Sequence, residues 1–148
     1  MSYRHVQTAL LMYLISGAGA VVALIGIVGG GELGGGRWWL VAVGMIMIVT
    51  GAVAARLTVT VDGRAVTASF GWGWPTRRIE VGEIASAVRV RNSWWHGWGI
   101  RKVSHGWMYN NAGREAVELS LRSGKVFRIG TDDPAQLLAA VERVRRPG

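Results

Sequence analysis

The sequence predicts a membrane α-helical hairpin followed by one small α+β domain, an antiparallel barrel or sandwich of about seven strands with a C-terminal helix. Three observations carry that expectation. Two apolar runs, Val6 to Gly31 and Trp38 to Ala55, hold no charged side chain and are separated only by Glu32-Leu33-Gly34-Gly35-Gly36-Arg37. After Arg56 the apolar residues alternate with a period of two, broken by turn residues. Beyond Asp132 a capping residue, a proline and a single apolar stripe mark a helix.

A spanning helix needs roughly 20 apolar residues. The first run, residues 6–31, is long enough to cross with tilt, and the second, residues 38–55, is just long enough. Arg4 and His5 with Ala18-Gly19-Ala20 resemble a cleavable signal, but signal cores are about 7–15 residues and this run continues to Gly31, so an uncleaved span is expected. Trp38 and Trp39 stand where interfacial anchors stand. Ser16, Gly19, Ala23, Gly26 and Gly30 recur at steps of three and four, and Gly44 and Gly51 follow in the second span. Small residues let helix backbones approach in lipid, so these are the candidate helix–helix contacts, within the hairpin or between chains. Neither span carries an ionisable residue between its ends, which argues against an ion or proton path. Arg4, Arg56 and Arg64 flank the spans while the connecting loop has Arg37 alone. Both termini and the domain are therefore expected in the cytoplasm, with the hairpin crossing the inner membrane.

The soluble part is expected at residues 57–148. Leu57, Val59 and Val61 alternate with threonines, and Asp62-Gly63 signals a hairpin turn. Val66, Ala68 and Phe70 alternate next, before Gly71-Trp72-Gly73-Trp74-Pro75 breaks the run. Short strands are expected over 77–81, 84–91, 115–122 and around Phe127 and Ile129, with a turn at Ser123-Gly124. Asp132 or Asp133 can cap the last helix, Pro134 suits its first turn, and Leu137, Leu138, Val141 and Val144 form its apolar stripe.

This plan, with Gly97-Trp98-Gly99-Ile100-Arg101, Tyr109-Asn110, Ala116-Val117-Glu118-Leu119 and Ile129-Gly130-Thr131-Asp132-Asp133-Pro134, resembles the bacterial pleckstrin-homology-like (PH-like) domains of small membrane proteins. Many of those carry two spans before the domain. The resemblance covers essentially the whole chain and implies a PH-like fold and a non-catalytic role. Phosphoinositide-binding PH domains carry a basic cluster in the first hairpin loop. Here that loop is Asp62-Gly63-Arg64, so the resemblance does not extend to phosphoinositide recognition.

The chain has 148 residues and a net charge of +8, and residues 56–148 hold 15 Lys and Arg against 8 Asp and Glu. Such a domain favours anionic surfaces such as phospholipid headgroups. Cysteine is absent, which excludes disulfides and thiol chemistry. The segment Asn92 to Trp107 is the most unusual, with four tryptophans, two histidines and adjacent cations; Trp72 and Trp74 add an aromatic pair. Trp94, Trp95, Trp98, Arg101 and Lys102 are the candidate membrane or partner surface, because indole and cations both favour an anionic headgroup layer. The competing reading is a long strand connection whose rings cap the core. Nucleic acid is disfavoured by the tether. His96 and His105 lack the close partners of a zinc site, and no acid completes Ser104-His105 as a triad, so no catalytic, metal or cofactor residue is assigned. The expected function is a membrane-anchored binding or scaffold module, not an enzyme, touching lipid, a membrane protein partner or a second copy of itself. The alternatives are an accessory subunit of a larger membrane complex and, behind it, a membrane-associated enzyme.

Overall fold

The structure is a computed structural model and describes residues 2–93, 97, 99–111 and 113–146. The chain divides into two compact units, Ala9–Ala55 and a second made of Met1–Thr8 with Arg56–Gly148.

The first unit is the helical hairpin. Helix α1 spans Leu10–Val28 and α2 spans Arg37–Ala54, joined through a 3-10 segment, Gly30–Gly36, in which Gly34 takes a φ of 51°. Two N-terminal helices, Leu10–Val28 and the 21-residue stretch Gly34–Ala54, are long and apolar enough to cross a membrane. The helices meet along glycine. A methyl group built on Gly19 would lie 2.7 Å from the Gly44 carbonyl oxygen, and one on Gly44 would lie 2.6 Å from the Ala23 nitrogen. One on Gly26 would lie 2.7 Å from the Arg37 carbonyl. Gly51 sits against Ser16 and the Met12 carbonyl, and the Ser16 hydroxyl donates to the Ile48 carbonyl at 3.2 Å. Ser16, Gly19, Ala23, Gly26, Gly44 and Gly51 are thus all on the seam inside the hairpin, while Gly30 opens the connecting segment. Leu14, Val21, Ile25, Ile46 and Val49 point outward and are exposed. At the open end Ala9, Met12 and Ala55 bury one another, and the Ala9 N–H donates to the Ala55 carbonyl at 2.8 Å.

The second unit holds nine strands among the described residues, in two sheets, and one helix. The first sheet orders β1 (Tyr3–Thr8), β2 (Arg56–Val61), β3 (Ala65–Phe70) and β4 (Thr76–Glu80) as neighbours, all antiparallel. The second contains β5 (Ile84–Arg91), β6 (Gly99–Val103), β7 (Gly106–Asn110), β8 (Glu115–Leu121) and β9 (Val126–Gly130), in the order β5-β8-β9-β7-β6. Their inward faces make the core: Leu57, Val59, Val61, Val66, Phe70 and Ile79 from the first sheet, and Tyr109, Val117, Leu119, Phe127 and Ile129 from the second. Phe70 and Tyr109 lie with ring centroids 5.3 Å apart, and Tyr109 meets Phe127 edge-on at 5.2 Å. Helix α3 (Pro134–Arg145) packs on β5 and β8 through Leu137, Ala140 and Val141. The Asp133 carboxylate accepts from the Gln136 N–H, so of the two aspartates Asp133 is the cap.

Three expectations change. The first apolar run was drawn from Val6, but α1 begins at Leu10, and Tyr3–Thr8 is a strand paired with β2 from Tyr3↔Val61 to Thr8↔Arg56. Its buried Gln7 and half-buried Tyr3 and His5 alternate with exposed Arg4, Val6 and Thr8, so its inner face is polar and gives no hydrophobic alternation. The folded domain therefore includes residues from before the hairpin as well as those from 56 onward. Second, of the barrel or sandwich expected, the described strands form two sheets and not one closed barrel, and they are not all antiparallel, because β7 and β9 run parallel from Gly106↔Val126 to Tyr109↔Ile129. Third, much of the segment read as a long connection is the β6–β7 hairpin, turned at Ser104-His105, with His105 at a φ of 67°.

Candidate functional site

The register of the two sheets brings several chain features to one end of the domain. In the first sheet Thr8, Arg56 and Phe70 close neighbouring strands, since Thr8 faces Arg56 and Leu57 faces Phe70. In the second sheet Arg91, Glu115, Gly130, Asn110 and Gly99 lie together at one end. Gln7 joins the two. Its side-chain amide donates to the Gly130 carbonyl at 2.9 Å, and its backbone carbonyl accepts from the Asn111 side-chain amide at 3.1 Å. Thr8 and Arg56 are also the residues from which the chain continues into the hairpin.

Beyond Phe70 at this end comes the β3–β4 turn, Gly71-Trp72-Gly73-Trp74-Pro75. Gly71 and Gly73 supply the positive φ angles that it needs, 51° and 106°. Its backbone is well bonded. The Gly71 N–H donates to the Arg56 carbonyl at 2.9 Å, the Gly73 N–H to the Phe70 carbonyl at 2.9 Å, and the Phe70 N–H to the Pro75 carbonyl at 3.0 Å. The Thr76 hydroxyl adds a bond to the Gly73 carbonyl. The two indoles take no part in this scaffold: Trp72 is 89 % exposed and Trp74 78 %. Arg77 and Arg78 follow on β4, both exposed.

Of the sequence candidates, Trp94, Trp95 and Trp98 lie outside the described residues. The residues that flank them are held firmly. The Asn92 N–H donates to the Arg114 carbonyl at 2.6 Å, and the Asn92 side-chain oxygen accepts from Arg128 at 2.9 Å. Arg128 in turn forks onto Glu118 across the β8–β9 pair, at 2.5 and 3.0 Å. The Asn110 amide donates to the Gly97 and Gly113 carbonyls. Arg101 and Lys102 are neighbours on β6 and both exposed, but a strand points successive side chains to opposite faces. Arg101 stands opposite Met108 and Lys102 opposite Trp107, so the two cations do not form one cluster.

On the face shared by Lys102 and Trp107 is a pocket of about 250 Å³ lined by Arg77, Ile100, Trp107, Tyr109 and Phe127. Trp107 is 54 % exposed there and Ile100 41 %. Burial pushes the Tyr109 hydroxyl above its usual pKa, with nearby Arg77 pulling the other way. Tyr3 is also pushed up, by burial first and then by Asp133 and Asp132. His5 Nε2 lies 2.5 Å from Asp132 Oδ1, tying β1 to the segment before α3. Among the described residues no three of His, Asp and Glu gather in a way that could hold a metal ion.

The features that sequence reasoning passed over are Gln7 and the placement of the β3–β4 turn. The Trp72–Trp74 pair was visible as composition, but only the strand register locates it beside Arg56. No family model matches the chain, and no curated protein matches it in sequence.

Proposed function

We propose that this chain is a membrane-anchored, non-catalytic binding or scaffold module. Its N-terminal hairpin crosses the inner membrane, and a PH-like domain on the cytoplasmic side engages anionic lipid or a membrane protein partner. The observation that carries the reading is the β1–β2 ladder. Residues 3–8, which precede the hairpin, pair with residues 56–61, which follow it. A hairpin whose two outer ends are zipped into one sheet has both ends on one side of the bilayer. Arg4, Arg56 and Arg64 on that side against Arg37 in the loop favour the cytoplasm. The PH-like assignment draws on the two sheets and the C-terminal helix. The added strand β1 and the parallel β7–β9 pair are departures from the expected plan. The domain's excess of basic residues supports an anionic surface as the thing bound.

The test uses the absence of native cysteine. A cysteine placed at Gly35 should react with a membrane-impermeant thiol reagent in intact cells, and one at Ser123 should react only after the membrane is opened. Labelling of Ser123→Cys in intact cells with Gly35→Cys protected would reverse the orientation and overturn the proposal.

A further inference from the structure

We infer that the Trp72–Trp74 turn is the part of the domain that sits in the headgroup layer of the bilayer that the hairpin spans. This rests on the membrane-anchored reading and gives it a specific contact. Tryptophan is a large apolar side chain with one N–H donor, and the interface between water and hydrocarbon accommodates both parts. On most surfaces a single exposed indole needs no explanation. Here two project from one turn whose backbone bonds are satisfied without them, while the neighbouring Phe70 fills the core position. The indoles therefore contribute little to holding the turn.

What points to the bilayer as their occupant is chain continuity. The Gly71 N–H bonds the carbonyl of Arg56, one residue after the hairpin ends at Ala55. Thr8, one residue before the hairpin begins at Ala9, is the register partner of that same Arg56. The turn thus extends past the strand ends from which both hairpin helices continue. A tether this short keeps the local concentration of lipid surface near the turn high at all times. Arg77 and Arg78 follow Thr76 on β4 as two exposed cations near the turn, on opposite faces of the strand, and an anionic leaflet attracts nearby cations. The opposite end of the domain supplies a reference: Ser123 follows Leu121, which faces Ile84, and Ile84 comes after the far end of β4.

The full chain is reconstituted in phosphatidylcholine–phosphatidylglycerol nanodiscs with a nitroxide label on one cysteine at a time, in Trp72→Cys, Trp74→Cys, Ile46→Cys or Ser123→Cys. Collision rates with oxygen and with a water-soluble nickel chelate report depth. The label at Ile46, on the outward face of α2, should collide with oxygen and hardly with nickel. At Ser123 it should behave as in water. At positions 72 and 74 nickel collisions should fall severalfold below those at Ser123. If Ile46 is in lipid but positions 72 and 74 match Ser123, the turn is not a membrane contact, and the anchored reading stands without it. If Ile46 itself is in water, the anchored reading fails and takes this inference with it. Both tryptophans are exposed, so neither replacement opens a core cavity, and agreement between two sites guards against one poorly folded variant.

Discussion

At the scale of single residues, Gln7 does more than its position near the N-terminus suggests. It is fully buried; its side-chain amide donates to the Gly130 carbonyl and its backbone carbonyl accepts from Asn111, so it joins the first strand to the second sheet. Replacing it by Ala removes a buried donor and leaves a gap at a polar seam. Gln7→Ala should lower the domain's stability by ~1–3 kcal/mol, read as a shift of the urea midpoint of the detergent-solubilised chain. An unchanged midpoint would mean that β1 is not held through this side chain. Asp62 gives a pH-dependent case. Its carboxylate accepts from the Arg64 and Ala65 N–H groups at 2.7 and 2.8 Å, and these bonds hold its pKa below the usual carboxylate value. A group with a lowered folded pKa stabilises fully above its unfolded value and loses that contribution as pH falls through the folded one. Asp62→Ala should therefore melt below the wild type at neutral pH, and the difference should shrink below about pH 4. A difference independent of pH would assign the effect to turn geometry instead of charge.

At the scale of elements, the legible parts were those whose signal is apolar periodicity. The two long helices, the β2–β3 hairpin with its Asp62-Gly63 turn, β5, β8, β9 and the capped α3 all announce themselves through spacing. Strand β1 does not, because its inward residues are Tyr3, His5 and Gln7, polar or half-buried side chains that give no apolar alternation. Strand β6 is also hidden, since an edge strand reading Gly-Ile-Arg-Lys-Val exposes three of its five side chains. The parallel partnership of β7 with β9 leaves no local trace at all, being a property of the whole sheet. In the hairpin, small residues at helical spacing pointed to a contact, and the geometry shows how tight it is. Gly44→Leu would drive a side chain into the Gly19 carbonyl, 2.5 Å from where its Cβ would stand. Helix separation depends on the residues at the contact, so the distance between spin labels on outward Leu14 and Ile46 should grow by ~2 Å in this variant. No change would show that the helices do not depend on this seam.

At the scale of the whole chain, the hairpin is an insertion between the first and second strands of a sheet. Its helices leave the domain at Thr8 and return at Arg56, two residues that face each other in one ladder. Residues 57–148 alone therefore lack a strand that the first sheet contains. Composition singled out the segment from Asn92 to Trp107, and strand register brings the Trp72–Trp74 turn to the end where the chain enters and leaves the hairpin, the end at which Arg91 and Gly99 also lie. The most direct test of the account is a disulfide across that ladder. Val6 and Thr58 are register partners, and antiparallel partners have Cα atoms about 4.5–5.5 Å apart, within reach of a disulfide. In a chain with no native cysteine, Val6→Cys with Thr58→Cys should cross-link on mild oxidation of isolated membranes, giving a faster-migrating band that reductant reverses. Val6→Cys with Thr60→Cys, two residues out of register, should cross-link far less. Failure of the first pair, or equal cross-linking by both, would contradict a domain built from both sides of the hairpin.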